Sequence, residues 1–423
     1  MTGPKLGPIG ITIPSEAPSP TTNMLYNSGG SLMFNGAAIG GGGCGTTVGT
    51  ESWCDYVTDG TADEVQFNAA IAAVAAGAKP GPIYALEGTY TIAASINPVS
   101  YTQIIGLGTV VIQTASDIDM INAVQVGTDI CYRIWLENLA LSYTGSANYT
   151  HYHVLLHSPS SCRLNRIITY NNAVSYSASL LGGVYCVANQ NLSWLNIFDD
   201  CEFTRLEFYR ISDSVVHHCA LSAINSGTGA VLGPYAVVIG LNCNNVTFEK
   251  CHIICDKNAG IYVNSAIHDL QILNSYFEPS GAAYISGNEE FGIYLGAVVS
   301  HSAICGNSFV GLGGIAIHAP AGIKFSIISG NKITDCNAAA NAMYSDIRIA
   351  GSSAASTFNV VMGNTHLNTV SSAAKAAAIQ EVSGELYPPN YNAITGNTAS
   401  GYYIATAIIK VGAQSLTTGN IED

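Results

Sequence analysis

The chain has 423 residues, 48% hydrophobic and only 10% charged, against a usual charged share of roughly 25%. Its net charge of −14 and the lack of any Lys/Arg cluster exclude a nucleic-acid partner, because such binding relies on cations that neutralise phosphates. No run of about 18 apolar residues exists to insert into a membrane, and the opening MTGPKLGPIGITIP has no basic segment leading into an apolar one, so no secretory signal is expected.

In chain order, the Pro-rich stretch 3–20 reads as an extended arm. Residues 21–39, TTNMLYNSGGSLMFNGAAI, read as a hairpin whose turn is Asn27-Ser-Gly-Gly30, and Gly40–Gly43 as a flexible joint. Next, 55–112 contain DYVTDGTADEVQFNAAIAAVAAG, then PIYALEGTYTI, then QIIGLGTVVI. Thr58 to Thr61 supply turn and cap chemistry, and Ala62–Ala76 has the apolar spacing of one short helix, placed to plug the open end of a β stack.

From there the chain repeats. A short apolar strand, a marked turn residue and a second apolar position recur at Cys201, Cys219, Cys251, Ser275, Asn307, Asn331, Asn364, Asn397 and Asn420. The spacings are 18, 32, 24, 32, 24, 33, 33 and 23 residues, so a bare coil near 24 residues carries inserted turns of eight or nine more. A fixed period with insertions confined to certain turns defines a solenoid, and strand-like alternation makes its elements β. A second phrase falls between the first ones: AVVIG (236–240), GIYVN (260–264), GIYLG (292–296), GIAIH (314–318) and DIRIA (346–350). The expected fold is all-β, a right-handed single-stranded parallel β-helix, with an N-terminal capping helix and an extended N-terminal arm. Its boundaries are 1–50 for arm, hairpin and joint, 51–115 for the capping helix and first strands, and 116–423 for the β-helix. Column asparagines are expected to form an amide ladder, each bonding its neighbours above and below. The twelve cysteines include no CxxC pair. Cys251 and Cys255 lack two further zinc ligands at a suitable spacing, so buried reduced thiols are expected, with no metal and no cofactor.

Asp59, Gly60, Asp63, Ile71, Glu87, Gly88 and Tyr90 make this entry similar to that of pectate-lyase-like β-helices, where a "DGxxDDxxAIxxAI" helix precedes a "LPxGxYxI" strand. The 21–39 hairpin resembles one near the start of many tailed-phage fibre and tailspike proteins. The resemblance implies a virion protein, assembled in the host cytoplasm, that attaches to other virion proteins through residues 1–50 and binds host cell-surface polysaccharide as its receptor. It covers polysaccharide lyases, glycoside hydrolases and β-helices without chemistry, so enzyme and rigid virion scaffold both stay open. The sequence ends three residues after Asn420, so the last coil is expected to be uncapped unless loop 371–391 folds over it or a neighbouring subunit covers it. Exposed β-helix ends invite pairing, so a homotrimer or another packed assembly is expected.

Acids are scarce enough to single out. Asp256, Glu278 and Asp335 follow the turn column by 5, 3 and 4 residues, and Glu289 and Glu290 end an inserted loop. With Ile261, Ile293, Ile315 and Ile347 taken as inward, Tyr262, Tyr294, Ala316 and Arg348 face outward, and His318 and Asp346 also do by alternation. The expected site is therefore Asp256 with Glu278 or Glu290 as a catalytic carboxyl pair, beside Tyr262, Tyr294, His318, Asp346 and Arg348 as sugar-binding residues. Adjacent rungs lie about 4.8 Å apart, a step that brings acids on neighbouring coils within glycosidase reach. Lyase chemistry would instead recruit a base such as His318 or Arg348. Asp199, Asp200 and Glu202 read as a solvated strand end, one of His217 and His218 as inward, and Tyr149–His153 as a loop on the sugar-facing side.

Overall fold

The computed structural model describes residues 45–124, 130–145, 149–171, 182–188, 193–222, 235–255, 258–279, 291–336, 345–369, 377–382, 389–401 and 414–421 in full, with the backbone of strand residues at 5–7, 10–12, 25–28, 31–34, 37–38, 408–409 and 422. Leu25–Ser28 pairs antiparallel with Ser31–Phe34, as the expected hairpin requires. From Thr46 onward the pairing is parallel throughout, and successive coils stack into a right-handed, single-stranded parallel β-helix.

One helix, Glu64–Ala75, closes the N-terminal end, burying Phe67, Ala70 and Ile71 against the first coil. Its N-cap residue Asp63 makes no side-chain cap bond. The Asp63 carboxylate instead accepts the amides of Gly60 at 3.0 Å and Thr91 at 2.8 Å, tying the helix start to the strand it must cover.

Each coil presents three faces. Face A is a sheet of eleven strands that includes Tyr235–Ile239, Ala259–Val263, Phe291–Leu295, Ile317–Ala319 and Ile347–Ile349. Face B carries strands such as Gln271–Leu273 and Ala303–Cys305, and face C strands such as Tyr276–Pro279 and Ser308–Val310. The phrase read from the sequence as one strand with a turn is thus the bend between faces B and C.

That bend is one residue in the left-handed region. Asn138, Arg166, Asp200, His218, Lys250 and Asn274, then Gly306, Gly330, Gly363, Gly396 and Gly419, stack here with φ between 51° and 70°. Glycine enters this column because a side chain at positive φ costs about 1–2 kcal/mol. The next residue turns inward and forms the marked column. Asn307, Asn331, Asn364, Asn397 and Asn420 bond side chain to side chain at 2.9–3.0 Å. Each Nδ2 also donates to a main-chain carbonyl, as Asn364 does to Ile328 at 3.0 Å, and each Oδ1 from Asn331 onward accepts the amide of the preceding column asparagine. Asn307, Asn331, Asn364 and Asn397 are buried with Nδ2 and Oδ1 both bonded, so they avoid the cost of an unpaired buried amide. Upstream, Cys201, Cys219 and Cys251 continue the column as free, buried thiols. The Cys201 contact and burial push the Cys219 thiol far up, and burial pushes Cys251 up to about 12.

A second left-handed column, between faces A and B, was not visible in the sequence. It runs Arg133, Ser161, Leu195, Asp213, Asn245, Asp269, His301, Phe325, Phe358 and Tyr391, with φ between 47° and 60°. A second inward ladder follows it, in which Asn359 donates to Asn392 at 2.9 Å. The outer side of the column ends as an aromatic ridge, with His301 on Phe325, Phe325 on Phe358 and Phe358 on Tyr391 at 5.1–5.3 Å between near-parallel rings. Each stacked pair contributes about 0.5–1.5 kcal/mol, enough to offset the positive-φ cost of an aromatic residue.

This inverts the usual ranking of substitutions. Phe358→Ala should lose both stacks and keep the strain, a cost of about 2 kcal/mol, while Phe358→Gly should lose the stacks and relieve the strain, a cost of about 1 kcal/mol or less. Urea denaturation that ranks the glycine variant below the alanine variant would contradict the strain account.

Candidate functional site

The face A column differs in phase from the sequence reading. Tyr262 pairs with Tyr294, Tyr294 with His318 and His318 with Arg348, so the inward partner of Ile293 is Ile317 rather than Ile315. Ala316 is fully buried in consequence. The slip arises because GIAIH alternates in both phases, and periodicity alone does not choose between them. Tyr235 stacks on Tyr262 at 4.3 Å, while Tyr262 and Tyr294 are tilted at 5.7 Å. Both rings pack on a small outer cluster of Ala259, Phe291 and Ile315, which uses part of the surface a sugar would need. His318 packs edge-on to Tyr294 at 5.2 Å and is only 6% exposed, and the Arg348 guanidinium lies 3.3 Å from its Nε2.

Asp346 is not outward. It is fully buried, with its carboxylate 3.2 Å from His366 Nδ1 in the core. It lies at the start of its strand, where alternation no longer predicts direction. Glu278 stands on face C, its two oxygens held by His252 at 2.9 Å and by the Tyr276 hydroxyl at 3.1 Å. Asp256, Glu289 and Glu290 lie outside the described residues, so no carboxyl pair with Glu278 can be drawn. Asp335 accepts the amide and hydroxyl of Thr369, as a turn residue does.

The YTHYH tract is a loop in which Tyr149, Tyr152 and His153 pack inside while Thr150 and His151 stay accessible. Tyr149 is buried, stacks on Tyr143 at 4.3 Å and donates its hydroxyl to the Ile118 carbonyl at 2.7 Å. His153 is fully buried; the Gly183 amide donates to its Nδ1 at 2.8 Å and its Nε2 lies 2.7 Å from the Tyr170 carbonyl. One nitrogen must therefore accept while the other donates, which requires the neutral ring.

Among the described residues, a cleft that could take a ligand lies on the corner between faces A and B. It encloses about 520 Å³ and is lined by Trp194, Ser212, Asp213, Asn244, Asn245, Asp269 and Gln271. Asp213, Asn245 and Asp269 are successive members of the left-handed column, and positive φ turns all three side chains outward. Asn245 Nδ2 donates to Asp213 Oδ1 at 2.6 Å and fixes that carboxylate, with Asp269 on the other side of the amide. Two rung steps separate the two acids, about 9.6 Å along the axis. Trp194, 39% exposed, is in register with Ser212 on the next rung, where the serine is buried beneath the cleft floor. A carboxylate pair, an amide between them, polar hydroxyl and amide groups and an open indole form a shallow polar cleft with an aromatic platform. The clue available in the sequence was the recurrence of Asp, Asn and Asp three residues before the apolar strand positions Val216, Phe248 and Ile272, but that column has no residue type of its own.

Fold and cleft define a right-handed parallel β-helix protein with a groove on an outer corner. No family model matches the chain, and no curated protein matches it by sequence. Among solved structures it is similar to the Dettilon tailspike protein (TM-score 0.57, 15% identity, 86% of this chain and 68% of that one). It is also similar to the pneumococcal surface protein and adhesin PfbA from Streptococcus pneumoniae (0.55, 11%, 89% and 100%) and to the A-module of the mannuronan C-5 epimerase AlgE6 from Azotobacter vinelandii (0.51, 14%, 87% and 97%). At these identities the likeness establishes the fold.

Two buried histidines set a pH dependence. Burial pushes His153 down to about 4, and burial with the adjacent Arg348 pushes His318 down to about 3. Both are neutral in the native state and take up protons near pH 6.5 once unfolded, so stability present above pH 6.5 is lost as pH falls toward those values. His318→Gln keeps an acceptor for Arg348 without a titrating group. Its melting temperature should fall less than the wild type's between pH 6.5 and 5, a window above most carboxylate titration; parallel profiles would refute the assignment.

Proposed function

We propose that the chain is a tailspike-type β-helix that binds a host cell-surface polysaccharide along the face A–B corner and hydrolyses it in the Trp194 cleft. The observation that carries this reading is the placement of Asp213 and Asp269 on either side of Asn245, next to an exposed indole. An axial separation of about 9.6 Å lies near the upper end of the roughly 6.5–9.5 Å used by inverting glycosidases, and modest side-chain tilt closes the difference. In this scheme Asp213, oriented by the Asn245 amide, takes a proton from water as the water oxygen bonds to the anomeric carbon. Asp269 gives a proton to the leaving oxygen as the glycosidic C–O bond breaks. Trp194 stacks on the apolar face of a sugar ring, and Asn244 and Gln271 bond its hydroxyls.

The cleft lining contains two acids and no Lys or Arg, which favours a neutral glycan over a uronate. It also disfavours lyase chemistry, which needs a uronate carboxylate beside the base. Similarity to a tailspike, to an adhesin and to a mannuronan-acting enzyme agrees with a carbohydrate role. The same reading includes a homotrimer, a virion location and attachment to other virion proteins through residues 1–50. A second reading, a non-enzymatic virion scaffold, draws on the exposed ridge of Phe325, Phe358 and Tyr391, which offers apolar edges for packing.

The test is incubation with a panel of neutral surface glycans, reading new reducing ends and their anomeric configuration. Asp213→Asn and Asp269→Asn should each lower cleavage by roughly 10²–10⁴-fold, Trp194→Ala should raise KM, and the product should be inverted. Cleavage unaffected by both aspartate variants would overturn the site; binding without any cleavage would favour the scaffold reading.

A further inference from the structure

Two consecutive histidines in a strand ordinarily point to opposite faces. Here they do not, because His218 occupies the left-handed corner between faces B and C, with φ 52°. His217 and His218 both lie outside, with the inward positions taken by Val216 and Cys219, and their rings sit 3.6 Å apart. On the adjacent rung, in register with His217, stands Asp199. Its Oδ1 lies 3.1 Å from His217 Nδ1 and 3.9 Å from His218 Nδ1, and all three ligand atoms fall within 4.8 Å of one another.

A hydrogen bond accounts for His217 but not for His218, whose 3.9 Å approach is too long for one. A tetrahedral ion accounts for both. Metal–ligand bonds of about 2.0–2.1 Å place the ligand atoms roughly 3.4 Å apart, between the two observed separations. We propose that Asp199 Oδ1, His217 Nδ1 and His218 Nδ1 form a binding site for a divalent transition metal of the zinc, nickel or cobalt class. Two imidazoles and one carboxylate are the donor set such ions take, whereas calcium and magnesium prefer oxygen-only shells.

The surroundings suit the charge. Arg163 approaches the other oxygen of Asp199, Oδ2, at 3.9 Å, leaving Oδ1 free to coordinate. Glu249 follows His217 in the same outward column, with Lys250 Nζ 3.6 Å from its carboxylate, and Asp200 precedes His218 in the corner column. Three protein ligands leave a fourth position for water or for Glu249. The site joins two successive rungs at the shortest step of the chain, the 18 residues from Cys201 to Cys219, where the ion would act as a clip between coils. It lies at the far end of the face B strands from the Trp194 cleft, about 13 Å along the chain from Asp213, and is independent of the carbohydrate reading.

The experiment uses the full, untagged chain, freed of metal by chelator and titrated calorimetrically with zinc, nickel, calcium and magnesium ions, with cobalt as an optical probe. One zinc ion per chain is expected at micromolar affinity, with no calcium or magnesium binding, visible cobalt bands of tetrahedral intensity and a melting temperature that rises with zinc. His218→Ala and Asp199→Asn, with unchanged circular dichroism, should each weaken binding by about 10-fold or more and abolish the thermal shift. His252→Ala, at the separate His252–Glu278 contact, should change nothing. Absence of zinc binding below millimolar, or equal binding by the His218 and Asp199 variants, would overturn the site.

Discussion

Everything in this molecule depends on a backbone constraint: each coil must turn twice through a single residue at positive φ. A β coil closed in so few residues cannot use wide loops at every corner. The left-handed residue makes the bend, and the residue after it points into the core. The inward residue must then be either apolar or polar with every hydrogen bond made. The chain adopts both solutions, thiols and aliphatic groups in the upper coils and amide ladders in the lower ones. The ladder therefore follows from the corner, and the corner follows from the need to close a parallel coil.

The same constraint builds the outer surface. A left-handed residue breaks strand alternation, so two consecutive side chains face solvent at many of the corners, as Asn244 with Asn245, His268 with Asp269 and His217 with His218 do. Stacked rung upon rung, those pairs become continuous stripes. On the face A–B corner the stripe passes from an acidic cleft at Asp213 and Asp269 to a stacked aromatic ridge ending at Tyr391. On the face B–C corner it brings His217 and His218 to the same carboxylate. Candidate chemistry on this chain sits where the alternation rule fails.

That is also why the sequence disclosed the fold more fully than the site. The Asn and Cys column repeats a residue type at a regular spacing, and its burial and bonding agree with that reading. The capping helix was legible from its apolar spacing and the turn chemistry of Thr58 to Thr61, although Asp63 bonds to the strand Ile83–Thr91 instead of capping. The second corner was not legible, because Leu195, Asp213, Asn245, Asp269 and Phe325 share a backbone conformation and nothing else. Tyr262 and Tyr294 were placed correctly as column neighbours, while the column slipped by two residues at His318, and Asp346 turned into the core to meet His366. Trp194 carried no pattern at all; only the stacking of coils brings it beside the two aspartates.

The proposed binding stripe on the face A–B corner can be read by hydrogen exchange of the full chain with and without a bound oligosaccharide. Added amide protection is expected in 193–213 and 244–271, around Trp194, Asp213 and Asp269. Protection confined to the Tyr235–Tyr262–Tyr294 surface of face A, with the corner unchanged, would contradict it.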